Sequence, residues 1–241
     1  MKHQLRVSTT KDYLYVGIGL LLIFVSLFGA MPDAFAHGIE VGDKGYISQI
    51  TGAHPIPFLY LGAKHMITGY DHLLFLLGVI FFLYKLRDVT IYVTLFAVGH
   101  VITLLTGVLM EISINAYIID AIIGFSVAYK ALDNMGAYQR WFGVQPNTKI
   151  ATFIFGLIHG FGLATKALEY EISPDGLVTN LIFFNIGVEI GQILALVVIL
   201  IAISYWRKSS SFLKHAYHAN AFVMMLGFLL MFYQITGYIV Q

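Results

Sequence analysis

Ionisable side chains are rare in long apolar stretches, and here they recur inside them in ordered groups. The run His65-Met66-Ile67-Thr68-Gly69-Tyr70-Asp71-His72 interrupts one such stretch. Read as a helix, its two histidines line up on nearly one face, two turns apart. Thr68 and Gly69 lie between them on that face, and Asp71 sits beside it, about 100° round. Further along, His100 follows Gly99 and precedes Thr103, while His159 lies within Phe155-Gly-Leu-Ile-His-Gly-Phe-Gly162. Asn185, Glu189 and Gln192 then repeat at the spacing that makes one polar stripe on a helix. Imidazole with carboxylate is the donor set of borderline divalent ions such as Ni2+, Co2+ or Zn2+. The chain has no cysteine, so thiolate ligands, thiolate nucleophiles and disulfides are excluded.

The elements that must position these groups are membrane helices. The 241 residues are 59% hydrophobic and only 11% charged, a balance foreign to soluble domains of this size. Apolar runs recur at the length of roughly 20 residues that crosses a bilayer core. They are continuous rather than alternating, and backbone amides in lipid must be satisfied internally, so an all-α polytopic membrane fold is expected. Six spans are read near 58–83, 89–110, 114–133, 150–170, 177–205 and 217–239, forming one transmembrane domain over 58–241. A net charge of +1 without a basic patch gives no reason to expect nucleic acid as a partner, and no nucleotide-binding motif is present.

Residues 1–36 read as a cleavable signal peptide. Lys2, Arg6 and Lys11 precede an apolar core from Tyr15 to Ala30, and Ala34-Phe35-Ala36 supplies the small-residue site. An uncleaved first helix is the alternative reading. Cleavage would make His37 the first mature residue, its amine and imidazole together able to capture metal outside the membrane. Residues 37–57 would form an external segment. Six spans from an external N-terminus also leave the C-terminus outside. The loops then required to be cytoplasmic carry Lys85 and Arg87, then Lys130, Arg140 and Lys149, then Arg207, Lys208 and Lys214, as the positive-inside rule demands. The expected location is the cytoplasmic membrane of a bacterium. Three spans followed by three would set the two halves in opposite orientation, as in inverted-repeat transporters. The first and fourth spans share a Gly/His-rich centre.

Counted from each span's entry point, Asp71, His72, His100, His159 and Glu189 fall within a few turns of mid-membrane. An aspartate at that depth costs on the order of 3 kcal/mol unless it is compensated. Small residues such as Gly156, Gly160, Gly187 and Gly191 would let the helices approach and bring the polar groups together.

His65-x5-Asp71-His72 with Leu73-Leu-Phe75 resembles the first-span motif of the HupE/UreJ family of small nickel and cobalt permeases. Gly99-His100-x2-Thr103-Leu104, Phe155-Gly-Leu-Ile-His-Gly-Phe-Gly-Leu-Ala164 and Phe184-Asn-Ile-Gly-Val-Glu-Ile-Gly-Gln192 resemble, in that order, motifs of its second branch. The resemblance covers about residues 58–206. It implies a signal-bearing, six-span protein that accompanies hydrogenase or urease metal supply, a metalloenzyme maturation system, with the first-span His and Asp-His needed for transport. There is one departure from the better-known branch, whose fourth span carries two histidines four apart and then a glutamate. Here His159 matches the second histidine, Phe155 stands at the place of the first, and Gly162 at that of the glutamate. Glu189 on the next span would compensate.

The expected site is therefore His65, Asp71, His72, His100, His159 and Glu189, supported by Thr68, Gly69, Asn185, Gln192 and Gly160. Metal permeation is the leading reading. An intramembrane zinc hydrolase built on the same cluster is the rival, with Asp71 or Glu189 as base. Haem ligation by paired histidines is a third, disfavoured by the buried carboxylates.

Overall fold

In the computed structural model the described residues are 50–169 and 173–240. The signal peptide read over 1–36, and His37 with it, lie outside them. The described residues from Pro55 onward form eight helices: α1 (Pro55–Thr68), α2 (Tyr70–Ile80), α3 (Leu86–Leu109), α4 (Ala116–Asn134), α5 (Ala137–Phe142), α6 (Thr148–Leu168), α7 (Leu177–Arg207) and α8 (Ser211–Val240). There is no strand among them. The local signals are ordinary ones. Pro55 opens α1, where its missing N–H costs nothing. Asn115 and Asn147 cap α4 and α6 by accepting from the two backbone amides at the start of each helix. Gly136 and Gly143, at φ 68° and 70°, bound the short α5 with left-handed turns that a side chain would resist.

Among the described residues four helices, α3, α6, α7 and α8, are long and apolar enough to cross a membrane. The stretch read as the first span is two helices, α1 and the shorter apolar α2, divided at Gly69, whose ψ of 100° breaks the helical path. α4, with 19 residues, covers the third stretch and carries Asp120, Lys130 and Asp133. Sequence reading missed the Gly69 division because the apolar residues on both sides together have the length of a single span.

The long segments pack in three principal pairs. α1 and α2 run alongside α7 in the same direction. At one end His54 donates its backbone N–H to Asn180 at 2.7 Å. At the other, Arg207 donates to the carbonyls of Ile80, Phe81 and Leu83 at 2.6–2.8 Å, at and just past the end of α2. α3 and α6 are likewise parallel, joined where Thr103 Oγ1 donates to Leu157 O at 2.6 Å. α4 and α8 are antiparallel, with Asn134 donating to Asn220 Oδ1 at 2.9 Å. Glycines make each pair close: a Cβ at Gly62 would collide with the Phe184 carbonyl, one at Gly156 with the Phe96 carbonyl, and one at Gly124 with the Met231 amide.

Candidate metal centre

The break at Gly69 builds the centre. Along a continuous helix His65 and His72 would stand about 10 Å apart in rise. With the path broken, their imidazoles meet edge to face with centroids 5.1 Å apart. The glycine is required by its neighbours: a Cβ there would lie 2.9 Å from His72 Nδ1 and 3.2 Å from Asp71 Oδ1. α3 contributes His100, whose ring centroid is 6.1 Å from that of His72. Nitrogens of His65, His72 and His100 fall within 4.8 Å of one another, and all three residues are buried. This grouping could hold one metal ion.

Asp71 takes a different place from the one expected. Its Oδ1 accepts from the His72 backbone N–H at 2.8 Å and pairs with His72 Nδ1 at 3.0 Å. A carboxylate on one ring nitrogen orients an imidazole and fixes its tautomer, so that a metal held by His72 would take Nε2. Asp71 is 1% exposed and His72 fully buried, so this pairing also compensates the carboxylate where water is absent.

His159 on α6 lies beside His72, ring centroids 4.8 Å apart, and pairs through Nε2 with Ser126 Oγ of α4 at 3.2 Å. It adjoins the three-histidine group without belonging to it. Gly160 makes room, since a Cβ there would collide with His100 O and Thr103 Oγ1. Asn185 and Gln192 are buried on the face of α7 turned inward. Asn185 donates to Leu181 O at 2.8 Å, while Asn185 Oδ1 and Gln192 Nε2 have no hydrogen-bond partner among the described residues.

Two expected members stand apart. Glu189 is exposed. It sits at the margin of the polar stripe, where a turn of some 40–60° from Asn185 and Gln192 carries it off the packed face. It therefore does not supply a compensating carboxylate to this centre. Thr68 is exposed too and donates to Lys64 O at 2.8 Å, a bond within its own helix.

Phenyl rings close the centre on the side of the chain ends that carry Lys85, Arg87 and Arg207. Phe75 and Phe96 are 5.3 Å apart, Phe75 and Phe155 5.7 Å, and Phe96 lies 5.0 Å from His159. Phe155 is thus part of this layer. Beyond it Lys130 donates to Asp133 at 2.6 Å and Asn134 at 2.7 Å, and Asn134 donates to the Gly78 carbonyl. Gln145 and Thr148 also donate to Asp133. Near the other end of α4, Asp120 pairs with Lys166 of α6 at 2.7 Å. Sequence reading missed Ser126 because a single hydroxyl carries no spacing signal. It missed the Asp120–Lys166 pair because 46 residues separate the partners.

The chain matches the family model described as HupE / UreJ protein over residues 41–241. It belongs to the HupE/UreJ family. No curated protein and no solved structure matches it. Family membership covers the whole helical region, including every residue of the centre, and agrees with the motifs by which the sequence resembled that family.

Proposed function

We propose that this HupE/UreJ protein is a membrane permease for a divalent transition metal ion, Ni2+ or Co2+, and that His65, His72 and His100 hold the ion midway through its passage. The observation that carries this reading is the buried group of three imidazoles whose nitrogens lie within 4.8 Å, assembled by a helix break at Gly69. Broken helices around a mid-membrane site are the means by which many transporters present ligands in lipid. Imidazoles suit nickel and cobalt, and neutral ligands around a divalent charge bind it without the depth of well that a cluster of carboxylates would create. Asp71 offsets part of that charge through His72.

The permease has six spans in this reading, with α1 and α2 together as the first and α4 as the third. Both mature termini face outward after the signal peptide is removed, and the basic loops lie in the cytoplasm of a bacterium. The phenyl layer of Phe75, Phe96 and Phe155 then lies on the cytoplasmic side of the site, and the Lys130–Asp133–Asn134 network behind it. His37, if it is the mature N-terminus, collects metal outside.

Uptake of Ni2+ or Co2+ by cells expressing the chain tests this. Accumulation above the vector control, lost in His72→Ala and His100→Ala, is expected. Equal accumulation by wild type and both variants would overturn the reading.

Three histidines are also a ligand set of catalytic zinc, which keeps the hydrolase as a second reading. It needs a general base at the metal. Asp71 is committed to His72 and Glu189 is exposed, so the geometry favours the permease. Zinc retained through purification, together with hydrolytic activity, would reverse that preference.

A further inference from the structure

The packing pairs repeat one another. Leu59, Gly62, Ala63 and His65 of α1 correspond, at one constant spacing, to Phe153, Gly156, Leu157 and His159 of α6. Phe96 and Gly99 of α3 correspond at another constant spacing to Phe184 and Gly187 of α7. Exchanging the two sets reproduces the contacts. A Cβ at Gly62 would strike the Phe184 carbonyl, and one at Gly156 the Phe96 carbonyl. A Cβ at Gly187 would meet the Leu59 carbonyl and Ala63 N, and one at Gly99 the Phe153 carbonyl and Leu157 N. His65 lies 6.0 Å from the ring of Phe184, and His159 5.0 Å from that of Phe96. The antiparallel pair maps onto itself: a Cβ at Gly124 would meet Met231 N at 2.6 Å, and one at Gly227 the corresponding Ala128 N at 2.5 Å.

We infer that the chain is an inverted repeat of two halves, residues 55–134 and 148–240, and that His159 is the counterpart of His65, replacing it as ligand when the site turns to the other side of the membrane. This inference rests on the permease reading. A relation that exchanges the first and fourth segments, the second and fifth, and the third and sixth requires the halves to cross the bilayer in opposite senses. The ring of His72 lies 5.1 Å from that of His65 in the first half and 4.8 Å from that of His159 in the second.

The halves differ in one respect. The first is broken at Gly69, while α6 runs unbroken through Leu163, the residue that corresponds to Gly69. The broken half has its histidine in the three-nitrogen group, and the unbroken half has its histidine on Ser126. Interchanging the two conformations places His159 in the group and withdraws His65. His72 belongs to both ligand sets and carries the ion across the exchange. Two ligand sets that differ only in His65 against His159, and share His72 and His100, let the ion change sides without being released into lipid, and without a deep well on either side.

The test pairs equilibrium Co2+ binding to the purified full chain with Co2+ uptake into proteoliposomes. His72→Ala serves as the control that loses both. For His159→Ala, binding is expected to stay within about threefold of wild type while uptake falls at least about tenfold, because the ligand leaves the cycle and not the resting set. His159→Cys, which restores a metal ligand, should recover uptake, whereas His159→Asn, which restores only a hydrogen-bonding group near Ser126, should not. Loss of binding in His159→Ala equal to that in His72→Ala would overturn the inference by making His159 a resident ligand. Uptake at the wild-type level in His159→Ala, or rescue by Asn, would overturn it by removing the ligand role. A wild-type chain that neither binds nor carries Co2+ would instead bring down the permease reading, and this inference with it.

Discussion

Asp71 is the residue whose role the geometry redefines. An aspartate on a membrane helix invites reading as a ligand, and its position one residue before His72 is equally compatible with orienting a ligand. The 3.0 Å pairing with His72 Nδ1 is the geometry of an orienting group. Asp71→Asn keeps the shape but gives up the charge and leaves the amide to choose its own donor or acceptor role. Metal affinity should fall about 10–100-fold, the usual cost of losing such a partner, while His72→Ala should remove binding altogether. Titration of the purified variants with Co2+ checks both. Equal loss in the two variants would mean that Asp71 ligates the ion directly. The candidate ligands were legible in the sequence because ionisable groups stand out against apolar helices. Their division into ligand, orienting group and outlier was not. Glu189 shares a helical stripe with Asn185 and Gln192, and a few tens of degrees of helix rotation decide whether a side chain on such a margin is packed or exposed.

At the scale of elements, helix boundaries were largely legible, and interruptions and pairings were not. The apolar runs near 89–110 and 177–205 reappear as α3 and α7 with ends displaced by a few residues. Gly69 escaped because a lone glycine in an apolar helix is as often a packing contact as a break, and what decides is the crowding of His72 and Asp71 over it. The pairing of α4 with α6 through Asp120 and Lys166 had no local signal either. Both side chains are buried, at 4% and 10% exposure, so each depends on the other. Lys166→Met alone should cost about 3–5 kcal/mol by leaving Asp120 uncompensated, and the double variant Asp120→Asn/Lys166→Met should recover most of that loss. Thermal unfolding in detergent measures the difference. A double variant no more stable than the single one would show that the pair is not an interacting unit.

For the whole molecule, the helix directions agree with the alternating spans of the proposed topology, whose orientation rests on the charge distribution. The parallel run of α1–α2 with α7, the parallel run of α3 with α6 and the antiparallel α4–α8 pair are the relations that alternating spans require. The absence of native cysteine makes single-cysteine labelling clean. Cysteines placed at Arg87, Arg140 and Ser209 should react with a membrane-impermeant maleimide only after the cell is opened, and one at Asp175 should react in intact cells. Labelling of the first three from outside would invert the orientation. Composition was enough to read the membrane class. The arrangement of two related halves was only hinted at by the Gly/His-rich centres, because the repeat survives in packing positions rather than in overall identity.

The central claim is that His65, His72 and His100 hold a divalent transition metal inside the membrane domain. X-ray absorption at the cobalt edge of the purified chain loaded with Co2+ tests it most directly, with His72→Ala alongside. The account predicts stoichiometric cobalt with the multiple-scattering signature of imidazole ligands, lost in the variant. Cobalt that binds without that signature, or binds equally well in His72→Ala, would contradict it.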